Sequence, residues 1–491
     1  MSQISLRTLV NEVVGYGVGA AVNRVLGIIV ALIYPILLSK DEYGRLDVIF
    51  SVTSLLAVVF FIGLDTALAR FYYEHENVAQ RRRLVATVFA AVMVFTLAAV
   101  VILLAVSRPL ALWLYQDPRY VLYLRLALVA MPCMMANGVQ MVVLRLERRV
   151  HAFNLLMIGN LVAASLIGIA AILIFRLGAA GMLTGFIAGN LATAVAGMVL
   201  NRRETFALPD WARLRELLGI GLPLVVSGSA LWLIGFVNRP ILVHWVSADD
   251  IGLYAIASGA VGMMALLIGA FRNAWQPFAF SIIGREGSEK IYGRTLTLFT
   301  AVASTIAVAG TLFAREALLV INAYTHKNWS GASPCIGPLA MGTLFSSMYF
   351  VVQTGIYIAC RTGVIAFTMC AAAALNLLLN LVLIPPYGIV GAAAATGLGH
   401  LAALLGLYAL SQRILPIPYE RMKLTATVLI AAAVVILAPH VHTGSLIRDL
   451  GLKALLLALY GAALLACRSI TVRDLVKYWK TDTKGDNPAS L

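Results

Sequence analysis

At 491 residues, 61% hydrophobic and only 12% charged, the chain lacks the polar groups to cover its apolar surface in water, which excludes a string of soluble domains. The formal net charge of +15 would suit nucleic acid. The basic residues, however, fall in short clusters in alternate loops, without interleaved aromatics or a binding module, a pattern that fits membrane topology and anionic headgroups instead.

Apolar stretches of about 20 residues recur from end to end, each long enough to cross a hydrocarbon core of about 30 Å. The first six expected spans run near Val14 to Leu38, Leu46 to Ala69, Leu84 to Val106, Val121 to Leu144, Leu155 to Phe175 and Ala179 to Leu200. The next six run near Leu217 to Val246, Ile251 to Phe280, Leu296 to Phe313, Ile336 to Ala359, Val364 to Ile384 and Ile389 to Leu410. Two more, near Leu424 to Ala438 and Leu450 to Cys467, bring the expectation to about fourteen. The fold class is therefore an all-α polytopic membrane protein.

Clusters such as Arg81-Arg82-Arg83, Arg145 with Arg148 and Arg149, and Arg202-Arg203 alternate with poorly charged loops. By the positive-inside rule both termini are cytoplasmic. The loops are too short for a soluble catalytic domain. Cys133, Cys335, Cys360, Cys370 and Cys467 are scattered without ligand spacing and read as core thiols, and His440 and His442 have no third ligand, so no metal site is expected. The tail, residues 471–491, is short and polar.

Two pairs of motifs repeat at nearly the same shift. Ser39-Lys-Asp-Glu-Tyr-Gly44 matches Ser247-Ala-Asp-Asp-Ile-Gly252 at roughly 208 residues. Leu177-Gly-Ala-Ala-Gly181 with Gly189-Asn-Leu-Ala192 matches Tyr387-Gly-Ile-Val-Gly391 with Gly399-His-Leu-Ala402 at roughly 210. Six spans are thus duplicated in the same orientation, giving two pseudo-symmetric six-helix bundles, residues 1–205 and 206–412, with two added helices in 413–470. A substrate site is expected between such halves.

Several motifs, in order and spacing, resemble the oligosaccharide flippases of the Wzx type, in the polysaccharide-transporter branch of the multidrug/oligosaccharidyl-lipid/polysaccharide exporter superfamily. They are Leu38-Ser-Lys-Asp-Glu-Tyr-Gly44, Gly63-Leu-Asp-Thr-Ala-Leu-Ala-Arg-Phe-Tyr-Tyr73, Gly221-Leu-Pro223, Asn238-Arg239-x-Ile-Leu242, Ile251-Gly-Leu-Tyr254 and Trp275-Gln-Pro-Phe278. The resemblance implies an alternating-access transporter of the bacterial inner membrane. It would carry polyprenyl-diphosphate-linked oligosaccharide to the outer leaflet for O-antigen, capsule or exopolysaccharide export, alongside a polymerase and export machinery. Relatives often carry an acid immediately before the arginine of the seventh span, where this chain has Asn238.

A diphosphate is a dense anion that a guanidinium grips through two parallel hydrogen bonds. Arg24 lies near the middle of the first span, on a stripe of Gly15, Gly19, Asn23, Gly27 and Ala31 that lets a helix or a cavity approach closely. Arg239, beside the helix-breaking Pro240, either reaches a cavity or snorkels to the interface. Arg272 shares a helix face with Gln276 and carries the same two readings. The candidate substrate-binding residues are therefore Arg24, Arg239, Arg272, Asn23, Asn238 and Gln276. Asp65, the one acid well inside a span, either pairs with a nearby arginine or serves a coupling cation of unknown identity; no other cofactor is expected. Asn160, Asn190, Asn376, Asn380 and His400 read as interhelical hydrogen-bonding groups.

Two rival functions remain at this stage. A cation-coupled drug exporter of the same superfamily would want acids inside the membrane, whereas this chain has mainly arginines. A membrane polymerase or glycosyltransferase would display catalytic residues on a sizeable loop, and no catalytic residue is evident.

Overall fold

The computed structural model describes residues 6–73, 77–282, 287–359 and 361–469. Among these residues there is no strand. The first helices are α1 (Leu6–Leu37), α2 (Lys40–Phe61), α3 (Leu64–Tyr72), α4 (Val78–Ala105), α5 (Ser107–Tyr115), α6 (Val121–Leu146), α7 (Val150–Leu173), α8 (Ala179–Leu200) and α9 (Arg202–Thr205). They continue with α10 (Leu214–Phe236), α11 (Asn238–Leu242), α12 (Ala248–Ser281), α13 (Ser288–Leu312), α14 (Ala314–Thr325), α15 (Ser333–Val352), α16 (Thr354–Ile358), α17 (Thr362–Ile414), α18 (Arg421–Leu437) and α19 (Leu446–Ala466). Eleven helical segments among the described residues are long and apolar enough to cross a bilayer, so this is a multi-pass membrane protein. One of them is the 53-residue α17, which is bent at Gly388, at the junction expected between the eleventh and twelfth spans.

Two local features recur in the backbone at the spacing of the repeated sequence motifs. Gly178, which opens α8, has φ 51° and ψ −132°, and Gly388 has φ 54° and ψ −131°. Side chains rarely occupy that conformation, so the same glycine-dependent corner is built twice at the repeat spacing. The hairpin motif is also used twice. Ser39 Oγ accepts from the Glu42 amide and the Glu42 carboxylate accepts from the Ser39 amide, a complete capping box at the start of α2. Ser247 accepts from the Asp250 amide at 3.2 Å and donates to Asp250 Oδ2 at 2.7 Å at the start of α12.

The chain divides into two compact units, Met1–Ala255 and Ile256–Leu491, with the boundary inside α12. In the first, α7 and α8 form a hairpin against α6, α1 lies along α7, and α10 packs on α2 and α3. Two close crossings bring the start of α12 onto α2 and α10 onto the start of α3. A Cβ at Gly44 would run into the Ala248 carbonyl, and one at Gly252 into the Lys40 carbonyl. Likewise Gly63 faces the Gly221 carbonyl and Gly221 the Ile62 carbonyl. These glycines sit in the very motifs that carry the family resemblance, which gives those motifs a packing role.

In the second unit α15 pairs with α17, and α13 packs on α15. The two added helices belong to this unit. Lys453 of α19, only 2% exposed, donates to Glu316 of α14, while Tyr460 donates to Ser304 of α13 at 2.7 Å. At the other end Arg294 of α13 reaches Glu420, which precedes α18, at 3.2 Å. Burial alone would raise the Glu420 carboxyl, but hydrogen bonds from Lys423, Thr297 and Arg294 outweigh it and hold the group below the ordinary glutamate range.

Gly178→Ala and Gly388→Ala are each expected to cost about 1–3 kcal/mol through backbone strain, whereas Gly259→Ala, where the added methyl meets nothing, is expected to cost nothing. Thermal unfolding of the purified variants measures the difference.

Candidate functional site

Pro240 has no amide hydrogen and so cannot complete the helical bond to the Phe236 carbonyl, and the long apolar run breaks between α10 and α11. The break aims the next side chain inward. Arg239 is 5% exposed and its Nε donates to Asp47 Oδ2 of α2 at 2.9 Å. Its Nη1 donates to the Gly235 carbonyl at 2.7 Å and to Asn238 Oδ1 at 3.0 Å. The guanidinium also lies over the rings of Phe236 and Tyr254, with ring centres 4.8 and 5.1 Å away. Asn238 in turn donates to Tyr254 Oη at 2.6 Å. The buried cation is thereby neutralised and hydrogen-bonded within the protein, as burial demands. Asp47 supplies the counter-charge that the resemblance placed at position 238, and the amide of Asn238 links the arginine to Tyr254 without adding a second negative charge.

Trp232 strengthens the same seam, donating to the Ser51 carbonyl at 3.0 Å and to Ser54 Oγ at 2.8 Å. These contacts fix α10 and α11 to α2, while the glycine crossings bring α10 against the start of α3 and the start of α12 against α2.

Arg24 is in the opposite situation. It is half-buried on α1, ten residues into the segment Gly15–Leu37, and has no hydrogen bond or ion pair among the described residues. The stripe on which it sits changes character at this point. Gly15 and Gly19 seat against Val150 and Asn154 of α7, and Asn154 donates to the Gly15 carbonyl at 2.8 Å. One turn further on, Asn23 borders a cavity, and a Cβ at Gly27 would meet no atom within 4 Å.

That cavity, about 420 Å³, lies inside the first unit between α1, α2, α6, α7 and α8. Asn23 and Tyr34 line it from α1, Asn137 from α6, and Asn160 and Ser165 from α7. Met141, Met157, Met182, Phe50 and Phe186 supply apolar wall. Asn160 is held by Asn190 Oδ1 at 3.2 Å and Thr193 Oγ1 at 2.9 Å, so its interhelical bonds also orient the cavity wall.

The other sequence candidates are not joined to this group. Asp65 is half-buried in the first turn of α3 and makes no ion pair or hydrogen bond among the described residues, Arg70 included. Arg272 and Gln276 are on α12, but their side chains lie outside the described residues. Asp47 and Asn137 were passed over in the sequence. Asp47 is close to a span end, where an acid looks interfacial, and Asn137 is a single amide in an apolar helix.

A family model described as "Polysaccharide biosynthesis protein" matches residues 36–334. Among solved structures, a lipid II flippase MurJ in an inward closed conformation aligns over 94% of this chain and 99% of its own, with a TM-score of 0.71 at 13% identity. An inward-facing multidrug resistance MATE family transporter of the MOP superfamily aligns over 81% of this chain and 94% of its own, with a TM-score of 0.61 at 14% identity. At these identities the likeness is one of fold. No curated protein sequence matches the chain.

Asp47→Ala, which strands a buried guanidinium, is expected to destabilise the protein by about 3–5 kcal/mol. The double variant Asp47→Leu/Arg239→Met should lose less than the sum of its single changes, because the cost of each comes largely from the orphaned partner. Thermal unfolding of the four-member cycle in detergent reads the coupling.

Proposed function

We propose that this chain, which belongs to the polysaccharide biosynthesis protein family, is a flippase that carries a prenyl-diphosphate-linked oligosaccharide across the bacterial inner membrane for surface polysaccharide export. Both termini lie in the cytoplasm, as the distribution of basic residues requires. The single observation that carries this reading is Arg24. A guanidinium with no partner among the described residues, in the middle of a membrane-spanning helix, is costly in hydrocarbon, so it faces water or an anion. The anion that suits it is the diphosphate, gripped while the prenyl tail stays in lipid.

The shared fold of a lipid II flippase supports the handling of a lipid-linked substrate. Arg239 and Asn238 act one step removed, as positioning residues that hold α10 and α11 on α2. The two repeat halves alternate the access of the site, and the two added helices move with the second. Asp65, which makes no ion pair or hydrogen bond among the described residues, would answer a coupling cation.

The drug-exporter reading draws support from the MATE fold. It is less well served by the cavity of the first unit, whose lining carries no acid to attract a cationic drug.

In cells that depend on this protein for surface glycan, Arg24→Ala is expected to reduce exported polysaccharide at least tenfold and to raise the lipid-linked precursor, at unchanged membrane abundance. Arg24→Lys, a point charge without the two-pronged geometry, should fall between. Wild-type export by Arg24→Ala would remove Arg24 from the transport path.

A further inference from the structure

At Gly337 the helices α13, α15 and α18 are tightly packed, since a Cβ there would meet Val435 of α18 at 2.7 Å and Thr311 of α13 at 3.2 Å. Beside that glycine a pocket of about 210 Å³ opens, closed over by α14, α19 and the turn that follows α18. It lies wholly within the second unit. Arg315 of α14, Lys453 of α19 and His442 of the loop between α18 and α19 line it, together with Ser330 and Ser333 at the start of α15. No aspartate or glutamate among the described residues does.

The acids nearby are spent elsewhere. Asp449 accepts from the Thr443 amide and hydroxyl, each at 2.7 Å, and pairs with His442 Nδ1 at 2.7 Å. Glu316 accepts from Lys453 at 2.6 Å, which uses one of the three donors of the ammonium. Arg315 has most to offer. It makes no hydrogen bond among the described residues, meets an acid only at Asp449 4.0 Å away, and is 35% exposed. A cationic ligand would meet like charge in this pocket, and an apolar one would cover charged groups at a cost.

An anion suits the pocket, and the arrangement favours its shape. Positive charge comes from α14 and α19, while the 20-residue α15 adds the positive end of its dipole and the Ser333 hydroxyl. A carboxylate offers two oxygens in one plane, whereas a tetrahedral oxyanion offers acceptors on every side and still fits the forked guanidinium. At about 30 Å³ for each water, the volume takes a phosphate group with several waters. The opposite ends of α13 and α18 carry Arg294, Arg421 and Lys423, the basic end that belongs in the cytoplasm, so the pocket is at the outer end.

We propose that this pocket binds a tetrahedral phosphate group at the outer face of the second unit, with Arg315 as its principal ligand, Ser333 donating its hydroxyl and Lys453 fixing the local charge. The group belongs either to free phosphate or to the headgroup of a phosphomonoester lipid in the outer leaflet. None of these residues is among those assigned to the transported lipid, so the site stands or falls independently of the flippase reading.

The test is calorimetric titration of the full-length protein in neutral detergent, at fixed ionic strength, with inorganic phosphate, with dihexanoyl phosphatidate and with sodium chloride as control. A phosphate-bearing probe should bind once per chain, and Arg315→Ala should weaken it at least tenfold. Ser333→Asp places a carboxylate in the pocket at a helix N-terminus, where an acid favours folding. It should abolish phosphate binding while leaving the unfolding temperature equal or higher. Binding of phosphatidate at least tenfold tighter than that of inorganic phosphate would assign the site to a lipid headgroup, and any smaller ratio would assign it to the free ion. Should Arg315→Ala fail to fold, Ser333→Asp alone decides. Heats from both phosphate probes equal to the chloride control, or wild-type affinity in either folded variant, would overturn the site.

Discussion

A guanidinium taken out of water must find its counter-charge inside the protein, and the contact between Arg239 and Asp47 answers that constraint in this fold. Much of the first unit follows from it. The helix breaks ahead of Pro240, the Gly235 carbonyl accepts from the same guanidinium, and α11 is pressed onto α2. Asn238, the apparent departure from the family pattern, becomes intelligible as the neutral neighbour of a cation already balanced by Asp47. The glycine crossings at Gly44 with Gly252 and at Gly63 with Gly221 then let α2 and α3 come close enough to α12 and α10 for the seam to close.

This arrangement separates two arginines that look alike in the sequence. Arg239 is bound on several sides by protein groups, so its charge is already committed to holding helices together. Arg24 makes no hydrogen bond or ion pair among the described residues, so its charge is not committed in this way.

Much of the architecture was legible in the sequence because it depends on local composition. Span positions follow from hydropathy, and the helix pair joined at Gly388 was separable in advance by the proline and glycine that α17 carries at its bend. The recurring hairpins and corners were legible because the hairpins need Ser and an acid to cap a helix and the corners need glycine. The Arg239 pairing was not, since Asp47 is 192 residues away and no local pattern announces a partner at that distance. Neither of the two readings offered for Arg239, cavity or interface, describes an ion pair buried between helices. The cavity was also hidden. Asn23, Asn137 and Asn160 are single amides on three helices, and only their convergence separates a cavity wall from ordinary interhelical hydrogen bonds.

The central claim is that the protein itself moves a prenyl-diphosphate-linked saccharide between leaflets. Its most direct test reconstitutes the purified chain in liposomes carrying a fluorescent prenyl-diphosphate saccharide, and follows the fraction accessible to a membrane-impermeant quencher. The account predicts that the probe in the inner leaflet becomes accessible in protein-containing vesicles and stays protected in protein-free ones. Equal protection in both, with the protein folded and correctly inserted, would contradict it.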